Sequence, residues 1–146
     1  MVTARGRRPA HGAVAVALVL SVVLAVAAIV DQAGGRSLIE HADDVYASSG
    51  KEPSASVLYG LVYAVAVVDF LLWLLVLGVA RSHRLSAAVL AVVVITVSAS
   101  LAILLLVSTE YDARIFPPLW GVLALLPAAA GVLAATFLLR GRSARG

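Results

Sequence analysis

One carboxylate of this chain lies inside a long apolar run, where an ionised group is energetically unfavourable. Asp69 lies near the middle of an apolar run, and the nearest basic residue along that run, Arg81, is twelve positions away, or roughly 18 Å along a helix. An aspartate at the centre of a membrane-spanning helix costs roughly 2.5–3.5 kcal/mol on insertion scales, so it is expected to have a partner or a purpose. Asp69 is therefore the residue at which the sequence most clearly indicates chemistry.

Polar groups on the neighbouring runs are the expected partners of Asp69. A neutral carboxylic acid can both donate and accept hydrogen bonds. The candidates at a similar depth are Ser21, Thr96, Ser100 and the backbone carbonyl of Leu123. We predict that Asp69, Ser21, Thr96 and Ser100 form a polar site inside the membrane.

Three interpretations of this polar site remain open. In the first interpretation, Asp69 forms a hydrogen bond that holds two helices together, here called a clasp. Such a bond stabilises a membrane protein by about 0.6 kcal/mol and by at most around 2. Alternatively, it is a protonatable site on a path for a proton, a cation or a small cationic substrate, because acids inside membranes often mark such paths. In the third interpretation it pairs with a basic residue of a partner protein. A cavity that reaches Asp69 would favour transport, and a sealed Asp69 would favour the clasp.

A second group of ligand-type side chains falls within about one helical turn, at Glu40, His41, Asp43 and Asp44. Carboxylate oxygens and an imidazole at this spacing are potential ligands of a divalent ion. The polar face of a helix on a membrane surface explains the same pattern. We therefore predict no metal site here.

The remaining composition disfavours several classes of enzyme. The chain has no Cys, which excludes disulfides and thiolate metal sites. His11 and His83 lie at the ends of apolar runs rather than inside them, so no pair of intramembrane histidines is placed to hold a haem. No nucleophile and base are paired at a recognisable spacing. We expect a protein that is not an enzyme and binds no cofactor.

Four long apolar runs hold these residues in position. Hydrophobic residues make up 62% of the 146-residue chain, against roughly 45–50% in soluble domains, and each run is long enough to cross a bilayer. We predict an all-α fold, an up-down bundle of four transmembrane helices that forms a single membrane domain over residues 1–146. The spans are expected at about 13–30, 57–80, 86–107 and 118–139. For the first run a cleaved signal peptide is the alternative, although the run exceeds the usual apolar region of about 7–15 residues.

Basic and acidic residues flank opposite sides of these runs. Eight of the eleven Lys and Arg residues lie on one side, and seven of the eight acidic residues lie on the other. Because Lys and Arg in short loops mark the cytoplasmic side, both termini are predicted to be cytoplasmic. The basic set is Arg5, Arg7, Arg8, Arg81, Arg84, Arg140, Arg142 and Arg145. An aromatic belt is expected at the external boundary, formed by Tyr59, Tyr63, Phe116 and Trp120.

Short basic groups beside apolar runs suit lipid headgroups. The bilayer is therefore the expected partner, and nucleic acid is not expected. A membrane protein partner and a homodimer both remain open. The chain has no Asn and a single Lys, a bias associated with GC-rich bacterial genomes, so we predict a bacterial cytoplasmic membrane.

The loop between the first two runs, residues 31–56, has room for further structure. Ser37 with Glu40 three positions later has the pattern of a capping box. Apolar residues then recur at helical spacing, at Leu38, Ala42, Val45 and Tyr46. We predict a short amphipathic helix on the external surface.

Small residues mark the faces at which the long helices are expected to pack. In the fourth run they alternate three and four apart, as in a left-handed bundle, at Gly121, Ala124, Ala128, Gly131 and Ala135. The first run has a similar series, Ala17, Ser21, Ala25 and Ala28. Pro127 cannot donate to the carbonyl of Leu123, so we expect a kink in the fourth helix.

Taken whole, the chain resembles the uncharacterised small four-span integral membrane proteins of GC-rich bacteria, and the resemblance rests on architecture. It differs from small multidrug-resistance transporters, whose essential acid lies in the first helix, and from tetraspanins and claudins, whose external cysteines are missing here. The resemblance implies a multi-pass membrane protein and no mechanism. We predict a non-enzymatic accessory or envelope component; the alternative is a small proton- or cation-coupled transporter that uses Asp69.

Overall fold

The computed structural model describes residues 7–143, which fold into five α-helices and one short hairpin. The helices are α1 (Arg7–Val30), α2 (Ser37–Ala47), α3 (Ala55–Ser82), α4 (Arg84–Val107) and α5 (Pro118–Ser143). The hairpin pairs β1 (Thr109–Glu110) with β2 (Ala113–Arg114) in antiparallel fashion. Arg5 and Arg145, on which the predicted orientation partly rests, lie outside the described residues.

Four of the helices are long and apolar enough to cross a membrane, which confirms the predicted all-α fold with four candidate spans. Their apolar stretches are Pro9–Gly35, Ala55–Ser82, Leu85–Val107 and Pro118–Arg140, and each contains the span predicted from the sequence. The first stretch runs furthest beyond its prediction, because α1 continues through a π-helical turn at Asp31–Gly35. The polar side chains that end an apolar run do not have to end its helix.

The long helices form a ring in which each packs against two neighbours. Helix α1 lies between α3 and α5, and α4 contacts the same two helices from the opposite corner. Residues on α1 that face the interior alternate four and three apart, the spacing of a left-handed bundle. They are Ala10, Val14, Ala17, Ser21, Leu24 and Ala28.

Two apolar clusters fill the bundle, one at each end. The first, here called the α2-end cluster, contains residues from all five helices, among them Leu24, Leu38, Val62, Ala102 and Trp120. The second, the termini-end cluster, is built from the four long helices, among them Val14, Trp73, Ala91 and Leu138. Each long helix contributes to both clusters in the order that an up-down chain requires.

The predicted small-residue series on α5 faces the interior. All five members are buried: Gly121, Ala124, Ala128, Gly131 and Ala135. Glycine is needed at two of these positions, since a Cβ on Gly121 would lie 2.2 Å from Cγ of Leu106, and a Cβ on Gly131 would lie 2.1 Å from Cη2 of Trp73. Close approach of side chains from α4 and α3 therefore explains both glycines.

The predicted aromatic belt is wrong for three of its four members. Tyr59, Phe116 and Trp120 are 2–3% exposed and belong to the α2-end cluster, so they do not form a surface for lipid. Their side chains fill the bundle where α2 and the hairpin cover it. Tyr63 is half-buried, and its hydroxyl donates to Oε1 of Gln32 across 2.7 Å.

A helix does form in the loop between the first two spans, but its start is not a capping box. The N-cap is Arg36 in the left-handed conformation (φ 50°), and Ser37 donates its hydroxyl to Oδ1 of Asp31 across 2.6 Å. The carboxylate that bonds the first N–H groups of this helix therefore belongs to Asp31, in the π-helical turn after α1, and not to Glu40.

A candidate polar site at the middle of the bundle

Three polar side chains are buried between the two apolar clusters, one from each of three helices. They are Ser21 of α1, Asp69 of α3 and Ser98 of α4, which are 1%, 0% and 0% exposed. We call these three residues the polar layer. The fourth long helix, α5, has Pro127 at the level between the two clusters, and Pro127 is also fully buried.

Asp69 is held from one side only. The hydroxyl of Ser98 donates to Oδ1 of Asp69 across 2.6 Å and joins α3 to α4. The second carboxyl oxygen, Oδ2, has no hydrogen-bond partner among the protein groups of residues 7–143. Because an unpaired polar atom is costly in a low-dielectric interior, Oδ2 is the most demanding atom of the layer.

Ser21 belongs to the predicted site by position but does not bond to Asp69. Its hydroxyl donates to the carbonyl of Ala17 across 3.0 Å, one turn back on its own helix. This local bond satisfies the hydroxyl proton and leaves the oxygen's lone pairs facing the interior. Ser21 therefore adds acceptor capacity to the layer without joining two helices.

The prediction is wrong for two other residues of the site, Thr96 and Ser100. Thr96 and Ser100 are exposed on the outer side of α4, where their hydroxyls donate to the carbonyls of Val92 and Thr96 at 3.0 Å and 2.7 Å. They share the depth of Asp69, but on a helix with 3.6 residues per turn they point about 160° away from Ser98. The expected bond from Asp69 to the carbonyl of Leu123 is not formed either.

Sequence reasoning missed Ser98, although a signal for it exists. The interior face of α4 is a series of mostly small residues spaced three or four apart, and Ser98 is a member. The series is Ala87, Ala91, Val94, Ser98, Ala102 and Leu105. Choosing partners by helix face as well as by depth would have selected Ser98.

Trp73 lies one turn from Asp69 and crosses the bundle interior. It is 0% exposed, and the Cζ2–Cη2 edge of its ring sits against Gly131 on the diagonally opposite helix α5. Its Nε1 belongs to the same long edge of the indole and has no hydrogen-bond partner among the described protein groups. Within residues 7–143, the middle of the bundle thus contains two buried polar atoms without protein partners, Oδ2 of Asp69 and Nε1 of Trp73.

A second polar cluster closes the α2 end of the bundle around the carboxylate of Asp31. Oδ1 accepts the backbone N–H and the hydroxyl of Ser37 at 2.9 Å and 2.6 Å. Oδ2 accepts the backbone N–H of Leu38 at 3.0 Å and the hydroxyl of Tyr59 at 2.7 Å. One carboxylate therefore ties the end of α1 to the start of α2 and to α3.

The hairpin packs against α2 through aromatic and charged groups. Tyr111 and Asp112 have positive φ of 52° and 63°, the geometry of a tight two-residue hairpin turn, which the sequence analysis did not predict. The ring of Tyr111 contacts Tyr46 edge to face with centroids 5.4 Å apart, and Nζ of Lys51 lies 5.5 Å from its centroid. The hydroxyl of Tyr46 donates to Oε2 of Glu110, and this bond raises the pKa of Tyr46 to about 12.

The ligand-type residues of α2 point in different directions. Nε2 of His41 donates to the carbonyl of Arg114 across 2.9 Å, a role that fixes the tautomer. Glu40, Asp43 and Asp44 are exposed. Within residues 7–143 no three His, Asp or Glu side chains are grouped as a metal site would require.

A groove of about 690 Å³ follows α1 and the start of α5 at the α2 end of the bundle. Its walls are almost wholly apolar, with Val22, Val26 and Trp120 among them, and Asp31 and Ser37 lie at its polar end. A smaller recess of about 230 Å³ between α1 and α3 has Ser21 and Ala66 in its wall. Asp69 lines neither concavity.

Comparisons with protein-family models, with curated proteins and with solved structures find no match to this chain.

Proposed function

We propose that this chain is a non-enzymatic multi-pass membrane protein, an accessory subunit or an envelope component, in which Asp69 is a clasp between helices. The observation that carries the proposal is the burial of Asp69. The side chain is 0% exposed and its Oδ1 accepts a hydrogen bond from Ser98. A carboxylate that a substrate or ion must reach is expected to line a water-filled path, and a sealed one is better suited to holding helices together.

The same proposal places the protein in a bacterial cytoplasmic membrane with both termini inside. Four apolar helices support a multi-pass arrangement, and the clustering of eight of eleven Lys and Arg residues on one side supports the orientation. In this orientation α2 is an external amphipathic helix. Its buried side chains, Leu38, Ile39 and Ala42, support this role, since they pack on the bundle end while the acidic residues of α2 remain exposed.

The alternative function is a small proton- or cation-coupled transporter that uses Asp69. One observation favours it, namely that Oδ2 of Asp69 has no protein partner in the described part of the chain. An intramembrane carboxyl oxygen with free bonding capacity is what a proton or cation site requires.

Two variants separate these functions in purified protein. Asp69→Asn keeps hydrogen-bonding capacity and removes the ionisable group, whereas Asp69→Leu removes both. For the clasp, proteoliposomes of the wild type and of Asp69→Asn carry no proton or cation flux above protein-free vesicles, and Asp69→Leu lowers the unfolding midpoint in detergent. Flux that is present in the wild type and lost in Asp69→Asn would overturn the clasp and support transport.

The role as a subunit and the orientation each have their own test. Purification in mild detergent is expected to retain a membrane protein in fixed stoichiometry, and recovery of the chain alone from its native membrane would contradict the subunit role. Reporter fusions after Gly146 are expected to be active when the reporter requires the cytoplasm and inactive when it requires the periplasm. The opposite pattern would overturn the orientation.

A further inference from the structure

We infer that a water molecule is bound in the middle of the bundle, between Oδ2 of Asp69 and Nε1 of Trp73. The two residues are four positions apart on α3, so they are neighbours on one helix face. Both are 0% exposed, and neither atom has a hydrogen-bond partner among the protein groups of residues 7–143. Buried polar groups of this kind are commonly satisfied by ordered water.

Trp73 lies one helical turn from Asp69, and its indole is held in place. A helical side chain leans toward the N-terminus of its helix and covers the turn before its own Cα. The indole of Trp73 therefore leans toward the turn of Asp69. Its ring is held against α5, because the space at Gly131 admits the ring edge and no Cβ. Because a fixed ring cannot turn freely to bond the carboxyl group, we expect a small molecule to pair with both unpartnered atoms.

The donor pattern selects water over a metal cation. Oδ1 of Asp69 already accepts from Ser98, so a proton on neutral Asp69 would be carried by Oδ2. In that state Oδ2–H and Nε1–H are both donors, and a water oxygen has two lone pairs to accept them. If Asp69 is ionised, the same water accepts from Nε1–H and donates to Oδ2. An indole N–H presents a positive hydrogen to the site, which disfavours a cation in either state.

The polar layer offers acceptors for the remaining water protons. Ser21 uses its own proton in the bond to Ala17 and keeps its oxygen lone pairs. On α5, Pro127 has no N–H to give to the carbonyl of Leu123, and helix carbonyls point toward the C-terminus, here toward the buried Pro127. The recess beside Ser21 and Ala66 adjoins the layer from α1 and α3. Acceptors for the remaining water protons are therefore present on helices other than α3.

The experiment uses the two tryptophans of the chain, one as probe and one as reference. The full chain is labelled with ¹⁵N at tryptophan and studied in detergent micelles, and the two indole N–H signals are assigned with Trp73→Phe and Trp120→Phe. Trp120 is a matched reference, because its Nε1 is also buried and has no partner among the protein groups that the structure describes. It lies in the α2-end cluster and not beside Asp69. We expect a magnetisation-transfer peak between water and Nε1–H of Trp73.

Variants of the layer decide the outcome. Asp69→Leu removes one side of the site, so the water peak of Trp73 is expected to be lost while the signal of Trp120 is unchanged. Ser98→Ala removes the bond to Oδ1 and leaves Oδ2 and Nε1, so the peak is expected to remain. Absence of the peak in the wild type, or its persistence in Asp69→Leu, would overturn the inference. Because proton flux is measured separately, a water-free site would leave the proposed clasp role standing.

Discussion

The hydroxyl of Ser98 lies 2.6 Å from Oδ1 of Asp69 and donates to it at the middle of the bundle. The bond joins α4 to α3 at a depth between the two apolar clusters. Apolar packing in a bilayer gains little from hydrophobic burial, because lipid tails are as apolar as the helices. In the proposed membrane setting we therefore expect this single interhelical hydrogen bond, between two fully buried groups, to have a measurable effect on helix association.

Ser98→Ala is expected to lower the free energy of unfolding by about 0.6 kcal/mol and by no more than roughly 2. The loss comes from the bond itself and from leaving Oδ1 of Asp69 buried without a donor. Titration from mild detergent into a denaturing detergent, followed by helical circular dichroism, measures the change. Thr96→Ala is the matched control, since this hydroxyl is exposed and bonds its own helix; equal losses in the two variants would contradict the assignment of the clasp.

The contrast between Ser98 and Thr96 explains which part of the site the sequence could predict. The level of a residue along the bundle follows from counting positions along an apolar run, and the structure places Asp69, Ser21 and Ser98 between the two apolar clusters. The direction of each side chain depends on which face of its helix meets a neighbour, and polar residues alone do not define that face. The small and apolar residues around Ser98 define it, as Ala91 and Ala102 do on α4.

The tight contact between Trp73 and Gly131 yields a prediction on packing. Gly131→Ala would place a Cβ 2.1 Å from Cη2 and 2.4 Å from Cζ2 of Trp73, so the ring or the helix must shift. Overpacking of this kind costs about 1–3 kcal/mol. The unfolding titration in detergent is expected to show this loss, although Ala is the better helix former.

Two further variants isolate the cause of that loss. Gly78→Ala is the control, because its added Cβ has no heavy atom within 4 Å apart from the adjoining residues and backbone of its own helix. We expect it to be neutral or stabilising. Trp73→Phe removes the part of the ring that meets Gly131, so Gly131→Ala should cost less in that background than in the wild type. An equal cost in both backgrounds would show that the indole is not the obstacle.

The carboxylate of Asp31 yields a prediction on the start of α2. Asp31→Ala removes the acceptor of two backbone N–H groups, those of Ser37 and Leu38, and loss of a helix cap costs about 0.5–2 kcal/mol. We expect faster hydrogen exchange at these two amides, measured by mass spectrometry or NMR. Asp44→Ala is the control on the exposed face of the same helix; if it accelerates the same amides equally, Asp31 is not the cap.

The same carboxylate marks a limit of sequence-based prediction. The period of the apolar residues predicted a helix near residues 37–46, and α2 covers Ser37–Ala47. Its cap was assigned to Ser37 and Glu40 because that spacing is typical of a capping box. In the structure the N-cap residue is Arg36, and the carboxylate that accepts the first N–H groups of α2 is that of Asp31, in the π-helical turn at Asp31–Gly35. The carboxylate of Asp31 also accepts the hydroxyl of Tyr59, which is 28 positions away in the chain. A contact at this separation cannot be predicted from a local sequence pattern.

The bond between Tyr46 and Glu110 predicts how the α2 end responds to alkaline pH. Glu110 raises the pKa of Tyr46 to about 12, from an ordinary value near 10. Because the folded-state value is the higher one, the stability contributed by this bond is complete below pH of about 10 and is lost as the pH rises toward about 12. The contact between α2 and the hairpin should therefore not change with pH near neutrality and should weaken only at strongly alkaline pH.

Ultraviolet titration of tyrosine tests this prediction with two variants. The difference between the wild type and Tyr46→Phe is expected to show one tyrosine with a midpoint near 12. Glu110→Gln removes the negative charge that opposes ionisation, so the late midpoint should move back toward the ordinary value of about 10. A late midpoint that persists in Glu110→Gln would mean that burial, and not the carboxylate on the hairpin, holds the phenol neutral.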